Sequence, residues 1–268
     1  MQSDTTARNL LASRGEASRL AARRAFYIAD TARERARALS LRLAAGEPLS
    51  ELPLPCEGLS AAELVLYASW LFSELGIKEE TLLSYHSGGS RIAYMRQGYA
   101  DAAYTLFSES LDGATVSYTD SSRAAAEEVF SEVADFCILP YSDREGSPVR
   151  ATRTVTEELG LLLVGRASVG AGESGALTYA LYGRALLVPQ AERVLLALRL
   201  PGLSQHTLAC LSAAAERVGA RLSGLAGDGT AVLHASLSLA RGALAHLCFI
   251  LQAALPGTDV VGLSDADG

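Results

Sequence analysis

The stretch Phe136–Val149 reads FCILPYSDREGSPV. Four apolar residues, Phe136, Cys137, Ile138 and Leu139, run into Pro140, and a polar turn containing Gly146 and Pro148 follows. A short apolar run without alternation is the pattern of a strand covered on both faces, as in a parallel sheet. Open α/β sheets bind ligands beyond the carboxyl ends of such strands. The loop 140–149 is therefore the first place to look for a site.

Working outward, RIAYM (91–95) and TVSYT (115–119) read as strands, the second rich in β-branched and aromatic residues. Helices are expected over Tyr99–Leu111 and Ala124–Val133, the latter capped by Ser121 or Ser122. This β-α-β-α-β order predicts a doubly wound α/β lobe. Thr152–Leu159 reads as a helix, LLLVGRASV (161–169) as a strand, and ALTYALYGRALLV (176–188) as another, paired antiparallel with it across GAGES (170–174). Beyond Arg193 the order changes. VLLALRL (194–200), a Pro-Gly turn, a helix over Gln205–Val218, ARLSGLAG, TAVLHASLSL, a helix over Arg241–Leu255 and TDVVGL (258–263) spell β-α-β-β-α-β, the ferredoxin-like plait. GDG (227–229) reads as the hairpin turn between the two middle strands.

Residues 1–90 are helical in pattern. From Glu16 to Ala45 apolar residues recur three and four apart: Leu20, Ala21, Ala25, Ile28, Ala29, Ala32, Ala36, Leu39 and Leu43. Gly46 and Pro48 end this helix, and Pro53 and Pro55 stiffen the connector. Ser60 and Glu63 form a capping-box signature for a second helix ending at Leu75 and Gly76. A short third segment lies around Glu79–Tyr85. SGGS (87–90) is the strongest linker signal. The fold class read from the chain is α/β plus α+β: a helical region (1–88), an α/β lobe (91–190) and a βαββαβ unit (193–268).

The 268 residues, 49% hydrophobic and 20% charged, are enough for a sizeable core. The net charge is −7, which argues against a nucleic-acid partner. Cys56, Cys137, Cys210 and Cys248 lie far apart, in no metal-ligand or redox spacing. Three of them lie inside apolar runs and read as small buried hydrophobes in a reducing compartment. The first residues carry no secretory pattern, and no stretch is apolar enough to span a bilayer. Cytoplasmic location, no membrane partner, no metal and no cofactor are the expectations. No Ser-His-Asp, HExxH or Walker pattern is present. The four histidines do not cluster.

Two regions together resemble the bacterial prephenate dehydratases, which carry a periplasmic-binding-protein-like catalytic domain followed by an amino-acid-binding ACT domain. LPGLSQHTLACL (200–211) is similar to the ACT turn between first strand and helix. IAYMRQGYADAAYTLF (92–107) is similar to the family's first strand and glycine loop. ILPYSDREGSPV (138–149) is similar to the strand ending in a Pro-Ile-Glu-Asn-Ser loop followed by Gly-Ser-Val. The helical residues 1–90 occupy the place where some members carry a fused chorismate mutase. The domain order resembles the bifunctional enzymes, while the residue-level likeness is confined to about 91–165 and 194–263.

The departures are specific. The Gly-Thr-Phe run becomes Gly98-Tyr99-Ala100, and Glu-Asn-Ser becomes Ser142-Asp143-Arg144. The catalytic Thr-Arg-Phe motif has no clear counterpart; Leu177-Thr178-Tyr179-Ala180 is nearest in position, and Thr152-Arg153-Thr154 comes too early. Between Val164 and Val194 there is room for a strand or two where the family places a second lobe. In the ACT part, the Pro-Gly-x-Leu turn survives, while Glu-Ser-Arg-Pro becomes Leu222-Ser223-Gly224-Leu225.

Prephenate fragmentation requires cations or amides for two carboxylates and a proton donor for the departing hydroxyl. The resemblance implies Thr178 and Ser147 as catalytic candidates. Substrate-binding candidates are Arg96, Tyr99, Ser142, Arg144, Ser147 and Arg150, with Arg91 and Arg153 in reserve. Effector contacts would come from Gly202, Leu203, Ser204 and Ser223. Arg144 and Arg150 can clamp a carboxylate bidentately. Loop arginines, however, are ordinarily solvated, and Ser or Asp beside Gly ordinarily caps or turns.

Nine arginines precede residue 50, with five acids and no lysine. A basic-faced packing or dimerising helix accounts for them better than a mutase site. The resulting expectation is a degenerate prephenate-dehydratase-like protein of phenylalanine metabolism. It would bind a small carboxylate or an amino acid and form a homodimer through its ACT unit and N-terminal helices. The alternatives are an active lyase, with or without chorismate mutase activity, and a module used only for assembly.

Overall fold

The computed structural model describes residues 2–44, 58–88, 90–111, 113–170, 176–227 and 233–266, with side-chain environments in the first helix from residue 14. Gly46, Pro48, Pro53, Pro55, Cys56, the tip of GAGES and Asp228 and Gly229 of the GDG turn lie outside the described residues.

The chain is a mixed α/β fold built on one nine-stranded sheet, with seven α-helices among the described residues. The first five strands are β1 (Arg91–Met95), β2 (Thr115–Thr119), β3 (Phe136–Ser142), β4 (Leu162–Val169) and β5 (Leu177–Gly183). The other four are β6 (Arg193–Leu200), β7 (Arg221–Gly227), β8 (Leu233–Ala240) and β9 (Asp259–Asp265). The sheet order is β2-β1-β3-β5-β4-β9-β6-β8-β7. The helices are α1 (Gln2–Ala44), α2 (Ala61–Leu75), α3 (Ala100–Ser108), α4 (Ser122–Phe130), α5 (Arg150–Glu158), α6 (Gln205–Val218) and α7 (Leu244–Ala254).

β3 has the two-faced burial that its apolar run predicts. Phe136 and Ile138 join the larger core cluster on one side of the sheet, and Cys137 and Leu139 join a smaller one on the other. The strand runs parallel to β1 but antiparallel to β5. It also continues past Leu139 to Ser142. Pro140 is tolerated because pairing with β1 has ended by Cys137 and the ladder to β5 is bulged between Pro140 and Ser142.

β4 and β5 form the expected antiparallel pair. The second strand is shorter than expected, stopping at Gly183; Leu186 beyond it makes an isolated bridge to Tyr85. β6 lies between β9 and β8, with β7 at the edge, which is the neighbour order of a split βαβ unit. The sheet does not break between the two groups of strands, because β4 pairs parallel with β9 at Leu163 and Gly262. The larger core cluster accordingly draws on α1, α2, β1, β3 and β6 alike.

α1 exceeds the expected Glu16–Ala45, beginning at Gln2 and passing through Gly15. Ile28, Ala29, Ala32, Ala36 and Leu39 are buried, whereas Leu20 is exposed. The lower stripe is uncovered because α2, with 15 residues, is far shorter than α1, with 43. Arg24 and Arg33 bind Glu63 and Glu74 across the α1–α2 contact. Arg33 also lies over the Trp70 ring. α2 passes the contact on: its buried Ser69 meets Arg217 Nε of α6 and His246 Nε2 of α7, each at 3.0 Å. His246 also stacks on Phe72, and burial lowers its pKa.

The capping box at α2 is complete: Glu63 N donates to Ser60 Oγ, and Ser60 N donates to Glu63 Oε2. The Arg24 side chain, then the Ser60 amide and hydroxyl, hold the Glu63 carboxyl at about 2. Its contribution is therefore present above the ordinary value of 4.5 and is lost as the pH falls toward 2. Ser60→Ala is expected to lower the unfolding free energy by about 1 kcal/mol. Urea unfolding at neutral pH checks this, and an unchanged midpoint would refute it.

Candidate functional site at the ends of β1 and β3

The carboxyl ends of β1 and β3 lie together with the start of β5 and the end of β4. After β1 the chain turns through Gly98, at φ 59°, into Tyr99 and α3. The turn sits against β5: a Cβ added at Gly98 would lie 3.4 Å from the Tyr179 hydroxyl, to which the Tyr99 backbone also hydrogen-bonds. Burial raises the pKa of Tyr179, so this hydroxyl stays protonated. The Tyr99 ring lies over Gly170, where an added Cβ would come within 3.0 Å of it. Beside this wall, Ser142 and Thr178 are register partners, and Ser168 Oγ is 3.5 Å from Thr178 Oγ1.

Of the residues expected from the sequence, Tyr99, Ser142 and Thr178 are thus gathered at one end of the sheet. Arg96 reaches the same end but is engaged there. Its guanidinium bonds Asp101 at 3.0 Å and lies over the Tyr118 ring. The Tyr94 hydroxyl and then Arg96 hold the Asp101 carboxyl below the usual carboxylate range. The expected clamp does not assemble. Arg144 and Arg150 are exposed, on the loop and in the first turn of α5. Arg91 opens β1 and so stands at the strand's opposite end.

The loop itself is closed by its own groups. Asp143 Oδ1 accepts from the amides of Glu145 and Ser147, and Asp143 N donates to Ser147 O. Thr152 Oγ1 donates to Pro140 O at 2.6 Å, fastening α5 to β3. Ser147 therefore belongs to an Asx-type turn, with its side chain exposed.

Two further residues emerge that the motif reading passed over. Arg166 of β4 lies over the Tyr141 ring, and its buried Nε has no hydrogen-bond partner. Tyr182, deeper on β5, is buried and has its pKa raised by that burial. A signal for Arg166 was present: Gly165-Arg166-Ala167-Ser168-Val169 alternates, placing Arg166 and Ser168 on one face of the strand.

The effector candidates are not brought together. Ser204 caps α6 by accepting from Thr207 N, and Leu203 beside it is exposed. Ser223 is on the edge strand β7, where its hydroxyl donates to Ser236 O. In register, Ser223 lies level with Leu196 and Ala197, about four residues short of the turn and two strands away. That separation is roughly 16 Å at 3.3 Å per residue and 4.8 Å per strand.

Cys137, Cys210 and Cys248 are buried, and burial pushes the Cys248 thiol up to about 12. Among the described residues no three His, Cys, Asp or Glu side chains gather as a metal site, and no helix is long and apolar enough to cross a membrane.

No protein-family model matches the chain, and no curated protein matches it. Solved structures do. The prephenate dehydratase from Arthrobacter aurescens in complex with L-Phe is 12% identical, with a TM-score of 0.50 over 65% of this chain and 89% of that one. The chain has a prephenate-dehydratase-like fold. The Streptococcus mutans prephenate dehydratase is 13% identical, with a TM-score of 0.49 over 65% of this chain and 97% of that one. The quorum-quenching acylase GqqA is 16% identical, with a TM-score of 0.46 over 67% and 96%. At these identities the likeness is one of fold.

Proposed function

We propose that this chain is a degenerate prephenate-dehydratase-like protein of aromatic amino-acid metabolism that binds a small carboxylate and does not turn it over. One observation carries the reading. The sheet end keeps its hydroxyls, on Ser142, Ser168, Thr178 and Tyr179, while Arg96 is tied to Asp101, Arg153 pairs with Glu157, and Arg144 and Arg150 stand in solvent. Hydroxyls can orient a carboxylate, but charge developing in a fragmentation needs preorganised cations or amides. The β4–β5 hairpin, joined by residues 170–176, also has no length for a second lobe to close over the site.

The βαββαβ unit fits an ACT-like regulatory role. A fold neighbour holds L-Phe. The turn at Gly202–Ser204 and Ser223 are too far apart to share a ligand within one chain. A homodimer pairing the turn of one copy with the edge strand β7 of the other would unite them. Leu222 and Leu225 are exposed on that edge. The N-terminal helices serve as packing elements, with Arg24 and Arg33 committed to α2.

The test is prephenate consumption followed as phenylpyruvate absorbance, with calorimetric binding of prephenate alongside. The expected result is no turnover above the spontaneous rate, with binding weakened about tenfold by Thr178→Val, a loss of about 1.4 kcal/mol. Turnover abolished by Arg144→Ala would overturn the proposal in favour of an active lyase. Absence of both turnover and binding would overturn it in favour of an assembly module.

A further inference from the structure

Away from the sheet end, a cavity of about 490 Å³ opens between α5 and the face of β9, β6 and β8. Its mouth carries both acids and bases. Asp259, Arg199 and His234 are register neighbours on three adjacent strands. Arg199 Nε lies 3.2 Å from Asp259 Oδ2. From α5, Glu157 Oε1 approaches His234 Nε2 at 3.8 Å and accepts from Arg153 Nε at 2.7 Å. The rest of the lining is largely apolar, with Tyr141, Tyr182, Leu161, Leu163 and Val261 beside Thr152 and Thr156.

We infer that this cavity is a binding site for a free α-amino acid with an apolar side chain. The volume falls in the range of small-molecule pockets, and the mix of apolar walls with a few convergent polar groups is theirs as well. The two ion pairs at the mouth, Arg199 with Asp259 and Arg153 with Glu157, are each about half exposed. Pairs of that kind contribute little to stability, so opening them costs little. A ligand carboxylate gains charge-assisted, bidentate contacts from a guanidinium, and its ammonium gains them from Glu157 or Asp259. A ligand with only one charge would leave the opposite partner of a broken pair unmatched. The apolar interior takes the side chain and excludes the charges. No residue of the hydroxyl cluster lines the cavity. The site therefore stands or falls independently of carboxylate binding at the sheet end.

The experiment is calorimetric titration of the full chain with L-phenylalanine and L-leucine, and with 3-phenylpropanoate and 2-phenylethylamine, which each lack one charge. Saturable binding of at least one amino acid is expected, weakened about tenfold or more when either charge is missing. The double variant Arg199→Met with Asp259→Leu removes one pair while keeping the surface filled, and should weaken binding by a similar factor. Its unfolding midpoint confirms that it is folded. Thr178→Val, which tests the sheet-end site, should leave this binding within about twofold. Absence of saturation at roughly millimolar ligand would overturn the assignment. So would binding indifferent to the double variant, or binding abolished by Leu203→Glu, which would move the ligand to the turn before α6.

Discussion

Phe136→Ala is expected to lower the unfolding free energy by about 3–5 kcal/mol. The ring is fully buried, with His86 edge-on at a centroid distance of 4.9 Å. The ring also packs against Gly183 of β5, where an added Cβ would lie 2.7 Å from the ring's Cδ1. The ring thus occupies the space that a side chain at 183 would need. Gly183→Ala alone should cost about 1–3 kcal/mol through overpacking. In the Phe136→Ala background the same methyl enters vacated space, so its cost should vanish or reverse. A double-mutant cycle by urea denaturation reads this coupling directly. Equal costs in both backgrounds would mean that the Ala185 carbonyl, 3.2 Å from the added Cβ, sets the penalty and not the ring. The consequence reaches the site, because Phe136 begins the strand that delivers Ser142 to Thr178.

Phe136 also marks what was legible in the sequence. An apolar run covered on both faces needs nothing beyond its own composition to be recognised, and the strand sits as read. The same is true of the local signals at Ser60, Gly76 and Ser121, which fix helix ends through bonds to near neighbours. Pairings between distant segments were another matter. Nothing in LLLVGRASV or TDVVGL announces that β4 lies beside β9, joining two groups of strands whose textures differ. Likewise α1 carries a continuous apolar stripe, and only the length of α2 decides that Leu20 is left outside.

The candidate site divides along the same line. Tyr99, Ser142 and Thr178, implied by the resemblance, meet because Ser142 ends β3, Thr178 lies at the start of β5 and Tyr99 follows the turn after β1, and such ends share one side of the sheet by topology. The arginines do not gather there, because a guanidinium's destination depends on its long side chain and on which acid lies within reach. Arg96 goes to Asp101, five residues on, and Arg153 turns along its own helix to Glu157. The cavity beside α5 was invisible in the sequence. Its charged row is spread over Glu157, Arg199, His234 and Asp259, which only register and helix docking bring together.

That cavity depends on the junction between β4 and β9, and Gly262→Ala should break it. An added Cβ would lie 2.7 Å from Leu163 Cβ and 2.8 Å from the Leu163 carbonyl oxygen. One of these obstacles is backbone, so no change of rotamer relieves it. The strands must move apart, at an expected cost of about 3 kcal/mol, the upper part of the overpacking range. Truncating the opposing side chain offers a discriminating control. Leu163→Gly removes the Cβ but leaves the carbonyl, so the combined variant should recover only a minor part of the Gly262→Ala loss. Full recovery would show that side-chain crowding alone closes the junction. Leu163, Val260 and Val261 line the cavity, so Gly262→Ala should also weaken whatever binds there. Thr178 and Ser142 are joined through β5 and β3, two and three strand pairings away from β9, and binding at the sheet end should survive. Loss of both bindings together, in protein that still unfolds cooperatively, would mean that the two ends of the sheet are mechanically one.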